Sequence, residues 1–172
     1  VSCWLVFSKA LSASEVAAVR ALVEATLCSR LIVVCDGDSL TATSGWPERY
    51  GDQAAVWGLV ESQNIATAGH TSVDVLADYP TQVTPIKPTG GQIKALAVMI
   101  GANDIANLTS DSAATIFARI ALIWSQARAE GWKVIAFTVL NGAGVATRSA
   151  VFDAVNASIR AATSSYDILA DV

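Results

Sequence analysis

The sequence LIVVCDGDSLT, at residues 31–41, joins an aliphatic run to a short polar turn. The run Leu31–Val34 is continuous in β-branched and aliphatic residues, a pattern typical of a strand that is buried on both faces of a parallel sheet. Ser39 therefore follows the carboxyl end of a buried strand. Open α/β sheets bind their ligands at this edge, because the loops converge there and the next helix directs its N–H groups at the ligand. We identify Ser39 as the candidate nucleophile.

The rest of the chain alternates between strand and helix patterns. Further strands are predicted at Asn64–Gly69, Ala95–Ile100, Val134–Leu140 and Tyr166–Val172. Apolar residues at helical spacing separate the runs, and the proline-rich stretch 79–91 predicts a long loop. Such alternation predicts an α/β fold, a three-layer α/β/α sandwich on a flavodoxin-like parallel sheet of about five strands in the order 2-1-3-4-5. Because the chain ends within or just after the fifth strand, we expect the sandwich to be incomplete at its C-terminus.

Residues 1–30 do not read as the start of an α/β domain. They predict a strand and then a helix, which begins at a capping box formed by Ser12 and Glu15. The stretch VFSKALSASEV, residues 6–16, resembles the closing strand and short helix of concanavalin-like (laminin-G-like) sugar-binding domains. We therefore assign 1–30 as the end of a preceding lectin-like domain, or alternatively as a helix that docks on the sheet, and 31–172 as the main domain.

Composition excludes several classes of function. The chain of 172 residues is 53% hydrophobic and 15% charged, which indicates one globular core. Its net charge is -4 and its 11 basic residues are scattered, so no nucleic-acid partner is indicated. The longest apolar runs are far too short to span a membrane as helices. The 3 cysteines have no metal-ligand spacing, and we expect buried thiols and no metal.

Three predicted strands end in loops at the same edge of the sheet, and these loops contain Ser39, Gly69 and Asn103. A serine that attacks an ester needs hydrogen-bond donors aimed at the oxyanion that develops. The N–H groups of Ser39 and Gly69 and the side-chain amide of Asn103 can supply three donors. Glycine suits its position because it lets the backbone approach a substrate closely. Asp38 and Asp104 are interpreted as turn formers that accept from nearby backbone N–H groups.

The residues at these strand ends match a family pattern. Gly37-Asp38-Ser39-Leu40, Asn64 with Gly69, and Gly101-Ala102-Asn103-Asp104 resemble blocks I, II and III of the SGNH (GDSL) hydrolases, which are esterases and acylhydrolases with a flavodoxin-like sandwich. The resemblance implies that Ser39 is the nucleophile and that Ser39, Gly69 and Asn103 form the oxyanion hole. It implies no metal and no organic cofactor.

The sequence departs from this pattern at its end. The family takes its catalytic Asp and His from an Asp-x-x-His block after the fifth strand, and this sequence contains only one histidine, His70. A serine without a neighbouring base is a poor nucleophile, so we expect this chain to be nearly inactive and the missing histidine to lie beyond Val172. His70 itself is open to three interpretations: a substrate contact, a replacement base, or a solvated or helix-capping residue.

The leading hypothesis is an SGNH-type serine esterase that cleaves a small carboxylic ester, such as an acetylated carbohydrate, through an acyl-enzyme. The alternative is a catalytically inactive SGNH-fold module that binds carbohydrate or has a structural role. An Asp-x-x-His after the fifth strand would favour the enzyme. A flavodoxin-like phosphate binder fits less well, because the Ser39 turn is acidic and has too few glycines to cradle a phosphate.

Overall fold

The computed structural model describes residues 31–43, 45, 47, 60–90, 92–107, 111–140 and 148–172. The strand and helix expected within 1–30 lie outside these residues. The division of the chain at residue 30 therefore stays a prediction.

Five parallel strands form one sheet, as the sequence predicted. They are β1 Leu31–Gly37, β2 Val60–Asn64, β3 Lys94–Met99, β4 Lys133–Phe137 and β5 Ile168–Ala170. Their spatial order is β2-β1-β3-β4-β5, and each neighbouring pair is parallel. The predicted α/β class and strand order are therefore confirmed. Strands β1 and β3 lie inside the sheet, which explains their nearly unbroken aliphatic sequences.

Helices connect these strands. They are α1 Ser39–Ala42, α2 Ser72–Gln82, α3 Ala102–Ala106, α4 Ala113–Ala129 and α5 Ser149–Ala161, with a 3-10 turn at Thr84–Ile86. The side chains of Asp38, Thr71 and Ser112 cap the first turns of α1, α2 and α4 by accepting from backbone N–H groups. Within the described residues, no helix combines the length and the apolar character that crossing a membrane requires.

The position of β2 differs from the prediction. The strand was expected at Asn64–Gly69, but it ends at Asn64, and residues 65–69 form the loop after it. The actual strand has the polar sequence VESQN, whereas the apolar stretch lies in the loop. Because β2 is at the edge of the described sheet and pairs only with β1, it does not need the continuous apolar sequence of an inner strand.

The loop predicted at 79–91 begins later than expected, because α2 continues through Pro80 to Gln82. Tyr79 and Val83 are both buried, so they extend the buried stripe that begins with Val75. Pro80 lies in the last turn and removes one N–H from the helix ladder. The burial of these two side chains outweighs that lost hydrogen bond.

The main hydrophobic core lies between one face of the sheet and helices α2, α4 and α5. It includes Leu96 and Val134 of the sheet and Phe152 of α5. At its centre, Trp124 is fully buried and makes edge-to-face contacts with Phe117 and Tyr166 at centroid distances of 6.3 and 5.6 Å. The opposite face carries a second buried cluster, formed by Val33, Cys35, Ala95 and Ala97.

Just after β4, a side chain replaces a strand partner. The amide of Asn156 accepts from the Val139 N–H at 2.7 Å and donates to the Val139 carbonyl oxygen at 2.9 Å. Both backbone groups of Val139 are thereby satisfied beyond the end of the strand. Helix α5, which carries Asn156, is thus attached to the carboxyl edge of the sheet.

Candidate active site

The loop after β1 places Ser39 at the first position of α1. Asp38 caps this helix, and its Oδ1 accepts from the Leu40 N–H at 2.9 Å. Gly37 has a φ of +147°, and a Cβ at this position would lie only 2.2 Å from the carbonyl oxygen of Met99. The chain therefore passes directly against β3 before it turns, which only glycine permits. This close approach fixes the position of Ser39 relative to the sheet.

The side chain of Ser39 lines a cavity at the carboxyl edge of the sheet. Within the described residues its hydroxyl makes no hydrogen bond, although its carbonyl oxygen accepts from Thr43. The cavity has a volume of about 160 Å³. Its polar lining comes from Asp38, Ser39 and Asn103, and its apolar lining from Leu40, Ala102, Ala106, Leu140 and Phe152. The sequence-predicted residues Ser39 and Asn103 are thus brought to one cavity.

The loop after β2 carries Gly69 in an exposed turn. Its φ is +87°, and no heavy atom of the described residues, apart from its two chain neighbours, lies within 4 Å of the position where a Cβ would be. The N–H of Gly69 donates to no other described residue, whereas the next N–H, of His70, donates to Thr67. Within the described part of the chain, Gly69 therefore presents an open backbone donor.

The loop after β3 carries Asn103 in the short helix α3. Its Nδ2 donates to the carbonyl oxygen of His70 at 2.8 Å. This bond joins the Asn103 loop to the loop that contains Gly69. An amide nitrogen carries two hydrogens, so one donor of Asn103 remains for another acceptor.

Asp104 links the same two loops by a second route. Its carboxylate accepts from the Ser72 N–H at 2.8 Å and from the Ser72 hydroxyl at 2.5 Å, and Arg119 Nη1 lies 3.7 Å away. The sequence interpretation of Asp104 as a turn former that bonds nearby backbone N–H groups did not include this contact, because Ser72 is 32 residues away. Ser72 and Arg119 were missed because no spacing pattern marks such a distant pair.

His70 is half-buried between this loop and α2. Its Nε2 lies 3.8 Å from Oδ2 of Asp78, and its backbone oxygen accepts from Asn103. The backbone of His70 thus belongs to the group of loops at the site, while its imidazole lies beside an acidic side chain of α2.

Two carboxyl groups at the end of β1 are poorly hydrated. Asp36 is only 5% exposed, and burial raises its pKa to about 6, although it accepts from the Gly37 N–H at 2.7 Å and lies near His70. Burial also raises the pKa of Asp38, and its Oδ2 has no hydrogen-bond partner among the described residues. Within the described ranges, no cluster of three or more His, Cys, Asp or Glu could hold a metal ion.

The end of β5 is fixed by a different carboxylate. Asp171 accepts from the guanidinium of Arg160 at 2.7 Å and from the hydroxyl of Thr138 at 3.1 Å. The Arg160 contacts lower the pKa of Asp171. This carboxylate therefore attaches the residues after β5 to α5 and β4.

Comparisons with solved structures find several proteins of the same fold. The structure of TesA is 23% identical, covers 80% of this chain and 76% of its own, and gives a TM-score of 0.66. A GDSL-like lipase from Bacteroides thetaiotaomicron is 24% identical, with coverages of 92% and 76% and a TM-score of 0.63. A variant of an acetyl xylan esterase from Geobacillus stearothermophilus is 17% identical, with coverages of 82% and 76% and a TM-score of 0.67. These identities show a shared fold.

A comparison with curated proteins finds no match. The model of the GDSL-like Lipase/Acylhydrolase family matches residues 35–171, which includes the loops that carry Ser39, Gly69 and Asn103. The resemblance inferred from three short motifs is thereby confirmed over most of the sequence. The chain belongs to the GDSL-like lipase/acylhydrolase family.

Proposed function

We propose that this protein is a serine esterase that cleaves a small carboxylic ester through an acyl-enzyme. The observation that carries the proposal is the cavity that Ser39 and Asn103 line together at the carboxyl edge of the sheet. The Ser39 hydroxyl makes no hydrogen bond within the described residues, so it is available to a substrate. Membership of an esterase and acylhydrolase family supports this reaction class.

In the proposed reaction, Ser39 Oγ attacks the ester carbonyl carbon and the carbonyl oxygen becomes an oxyanion. The N–H groups of Ser39 and Gly69 and the second hydrogen of the Asn103 amide donate to that oxyanion. A general base takes the proton of the Ser39 hydroxyl and returns it to the alcohol oxygen, so the alcohol leaves and the acyl group stays on Ser39. Water, which gives a proton to the same base, then attacks the acyl carbon and releases the acid as Ser39 regains its proton. The open space around Gly69 supports its assignment, because an oxyanion must approach that N–H closely.

The proposed nucleophile also needs a base. His70 is the one histidine of the sequence, and its Nε2 lies beside Asp78. We assign His70 as a substrate contact at the rim of the site and not as the base. The family's Asp-x-x-His block is not found in these 172 residues, so we expect this chain alone to turn over esters slowly.

The small, largely apolar cavity supports a short acyl group as part of this proposal. Small side chains, Ala102 and Ala106, and the rings and branches of Leu40, Leu140 and Phe152 form an apolar lining in a volume of about 160 Å³. An apolar pocket of this kind favours burial of an alkyl chain but leaves little room for a long one. An acetyl ester of a carbohydrate fits this shape, and a protein of the same fold is an acetyl xylan esterase.

The experiment measures hydrolysis of p-nitrophenyl acetate and of acetylated xylo-oligosaccharide by the protein expressed from its complete natural reading frame. We expect Ser39→Ala to lower kcat at least about 1000-fold and Asn103→Ala about 100- to 1000-fold. Ser125→Ala is the matched control, because Ser125 is an exposed serine of α4. A fluorophosphonate probe should label Ser39 in the unaltered protein. Equal turnover by Ser39→Ala would contradict the proposal.

The second candidate is a catalytically inactive module that binds carbohydrate or has a structural role. It is favoured by the position of the only histidine, whose imidazole is beside Asp78. This candidate predicts that calorimetry detects binding of acetylated xylo-oligosaccharide while neither turnover nor labelling of Ser39 is observed. Labelling at Ser39 would exclude it.

A further inference from the structure

The proposed oxyanion donors Gly69 and Asn103 come from loops after different strands, so something must fix the distance between them. Side-chain packing among the described residues does not do so at Gly69, because none of their heavy atoms beyond its chain neighbours lies within 4 Å of its Cβ position. The hydrogen bonds between the two loops are therefore the main candidates for this task.

Those hydrogen bonds form two neighbouring contacts between the loops, which we call the first and the second rung. In the first rung, Asn103 Nδ2 donates to the His70 carbonyl oxygen at 2.8 Å. In the second rung, the Asp104 carboxylate accepts from the N–H and the hydroxyl of Ser72, at 2.8 and 2.5 Å. Asp104 is one residue from Asn103, and Ser72 is three residues from Gly69, so the second rung lies directly behind the proposed donors.

In the second rung, Asp104 and Ser72 are shielded from water, and the positive charge of Arg119 lies near the carboxylate. Asp104 is 1% exposed and Ser72 is 0% exposed. A buried carboxylate requires hydrogen bonds and an opposite charge, and Arg119 supplies the charge, with its Nη1 3.7 Å from Asp104 Oδ1. Arg119 is itself held by Asp111 at 2.6 Å. Hydrogen bonds to an ionisable group in such surroundings are stronger than those between neutral groups.

We propose that Asp104 and Ser72 are positioning residues of the oxyanion hole, which hold the Gly69 N–H and the Asn103 amide at the separation that the developing oxyanion requires. This inference rests on the proposed function of the same site. Neither side chain touches the substrate. Their effect is carried through Asn103 on one loop and through the backbone of residues 69–72 on the other.

The test measures kcat, KM and the free energy of unfolding for Asp104→Ala, Asp104→Asn and Ser72→Ala in the protein made from its complete reading frame. Because a misplacement of about 1 Å can cost about 100-fold in rate, we expect Asp104→Ala to lower kcat about 10- to 100-fold and KM to change less than about 3-fold. Asp104→Asn keeps an acceptor for the Ser72 N–H, so it should restore most of the lost kcat.

A matched control comes from the opposite end of the sheet. The Asp167 carboxylate accepts from the Val134 N–H and from Lys133 Nζ, both at 2.9 Å, so Asp167→Ala also removes a carboxylate that joins segments 33 residues apart, but at the amino end of β4. We expect this variant to be less stable, with kcat within about 2-fold of the unaltered protein, since it leaves residues 69–72 and 101–107 untouched.

The outcomes separate the two proposals. Turnover retained in Ser39→Ala would overturn the proposed function and this inference with it. Ser39-dependent turnover that is equal in Asp104→Ala and Asp167→Ala would overturn only this inference. Should Asp104→Ala fail to fold, Ser72→Ala removes one hydroxyl and gives the same comparison, and an unchanged kcat in that variant would overturn the positioning role.

Discussion

Gly37 is the last residue of β1 and Gly69 lies in the loop after the neighbouring strand β2, and both have positive φ, but their surroundings are opposite. At Gly37 the backbone of β3 is so close that a Cβ would meet the Met99 oxygen at 2.2 Å. At Gly69 no heavy atom of the described residues, apart from its chain neighbours, lies within 4 Å of the Cβ position. The first loop, which follows Gly37, is fixed by contact with the sheet, whereas the second, which contains Gly69, is fixed by the hydrogen bonds that Asn103 donates to His70 and that Asp104 accepts from Ser72. The proposed nucleophile and its proposed donor are therefore held in place by different means.

Substitution of Gly37 should cause the largest loss of unfolding free energy. Gly37→Ala forces a methyl group against a backbone oxygen and imposes a positive φ on an alanine, and together these should cost about 3 to 5 kcal/mol of unfolding free energy. Urea denaturation of the variant measures the loss. A loss below about 1 kcal/mol would mean that β1 and β3 can separate at little cost and that the first loop is not fixed by packing.

The next largest effect on stability is expected at Asp36, and it tests whether this carboxyl group at the end of β1 is shielded from water. Burial raises the pKa of Asp36 from 3.8 to about 6, so the folded state binds a proton more tightly than the unfolded state does. The stability from this group is present below pH 3.8 and is lost as the pH rises through about 6. Asp36→Asn, which stays neutral, should therefore be more stable than the unaltered protein by about 2 to 3 kcal/mol at pH 8.

The pH dependence provides the control for Asp36→Asn. Both proteins should have similar unfolding free energies at about pH 3.5, where the aspartate is largely protonated in the folded and unfolded states. Denaturation curves at the two pH values measure the difference. An equal gain in unfolding free energy at both pH values would mean that Asp36→Asn acts through packing and not through the buried charge.

A smaller loss of stability is expected on substitution of Asn64, the last residue of β2, which is hydrogen-bonded to α1. Asn64 Nδ2 donates to the Thr41 carbonyl oxygen at 3.3 Å, and Asn64 Oδ1 accepts from the Ala66 N–H at 3.2 Å. Asn64→Ala should cost about 1 to 2 kcal/mol, because it leaves these backbone groups unsatisfied. The adjacent, exposed Gln63 offers the control, and Gln63→Ala should change stability by less than about 0.5 kcal/mol. Equal losses of stability in the two variants would show that Asn64 does not join β2 to α1.

Substitution of Gly69 should have the smallest effect on stability. An added methyl group has open space there, so Gly69→Ala should cost only the strain of its φ of +87°, about 1 kcal/mol. Thermal or urea denaturation beside Gly37→Ala gives the direct comparison. If Gly69→Ala were the more damaging of the two, the contrast between a packed loop and an open loop would be wrong.

The sequence was informative wherever a local pattern reports burial. The alternation of strand and helix patterns predicted the fold class and the strand order, and the aliphatic sequences of β1 and β3 predicted those two strands. The motifs at the ends of β1 and β3 placed Ser39 and Asn103 at the same edge, where one cavity contains both. The strand β2 was misplaced because an edge strand needs no apolar run. Helix α2 was cut short because Pro80 is a strong local signal, whereas the burial of Tyr79 is a tertiary one.

Sequence patterns did not predict the hydrogen bonds that join the loops of the site. Asp104 and Ser72 are 32 residues apart, and nothing in either local sequence marks the pair. The sequence thus identified Ser39 and Asn103 of the cavity lining, but the residues that hold those loops together required the three-dimensional structure.

The amide of Asn156 has a consequence for the shape of the Ser39 cavity. Because it satisfies both backbone groups of Val139, it anchors the chain immediately before Leu140, which lies in the wall of that cavity. Phe152, one turn before Asn156 in α5, lines the same cavity. Two apolar residues of the cavity wall therefore depend on the position of this one helix, so a shift of α5 would change the space beside Ser39.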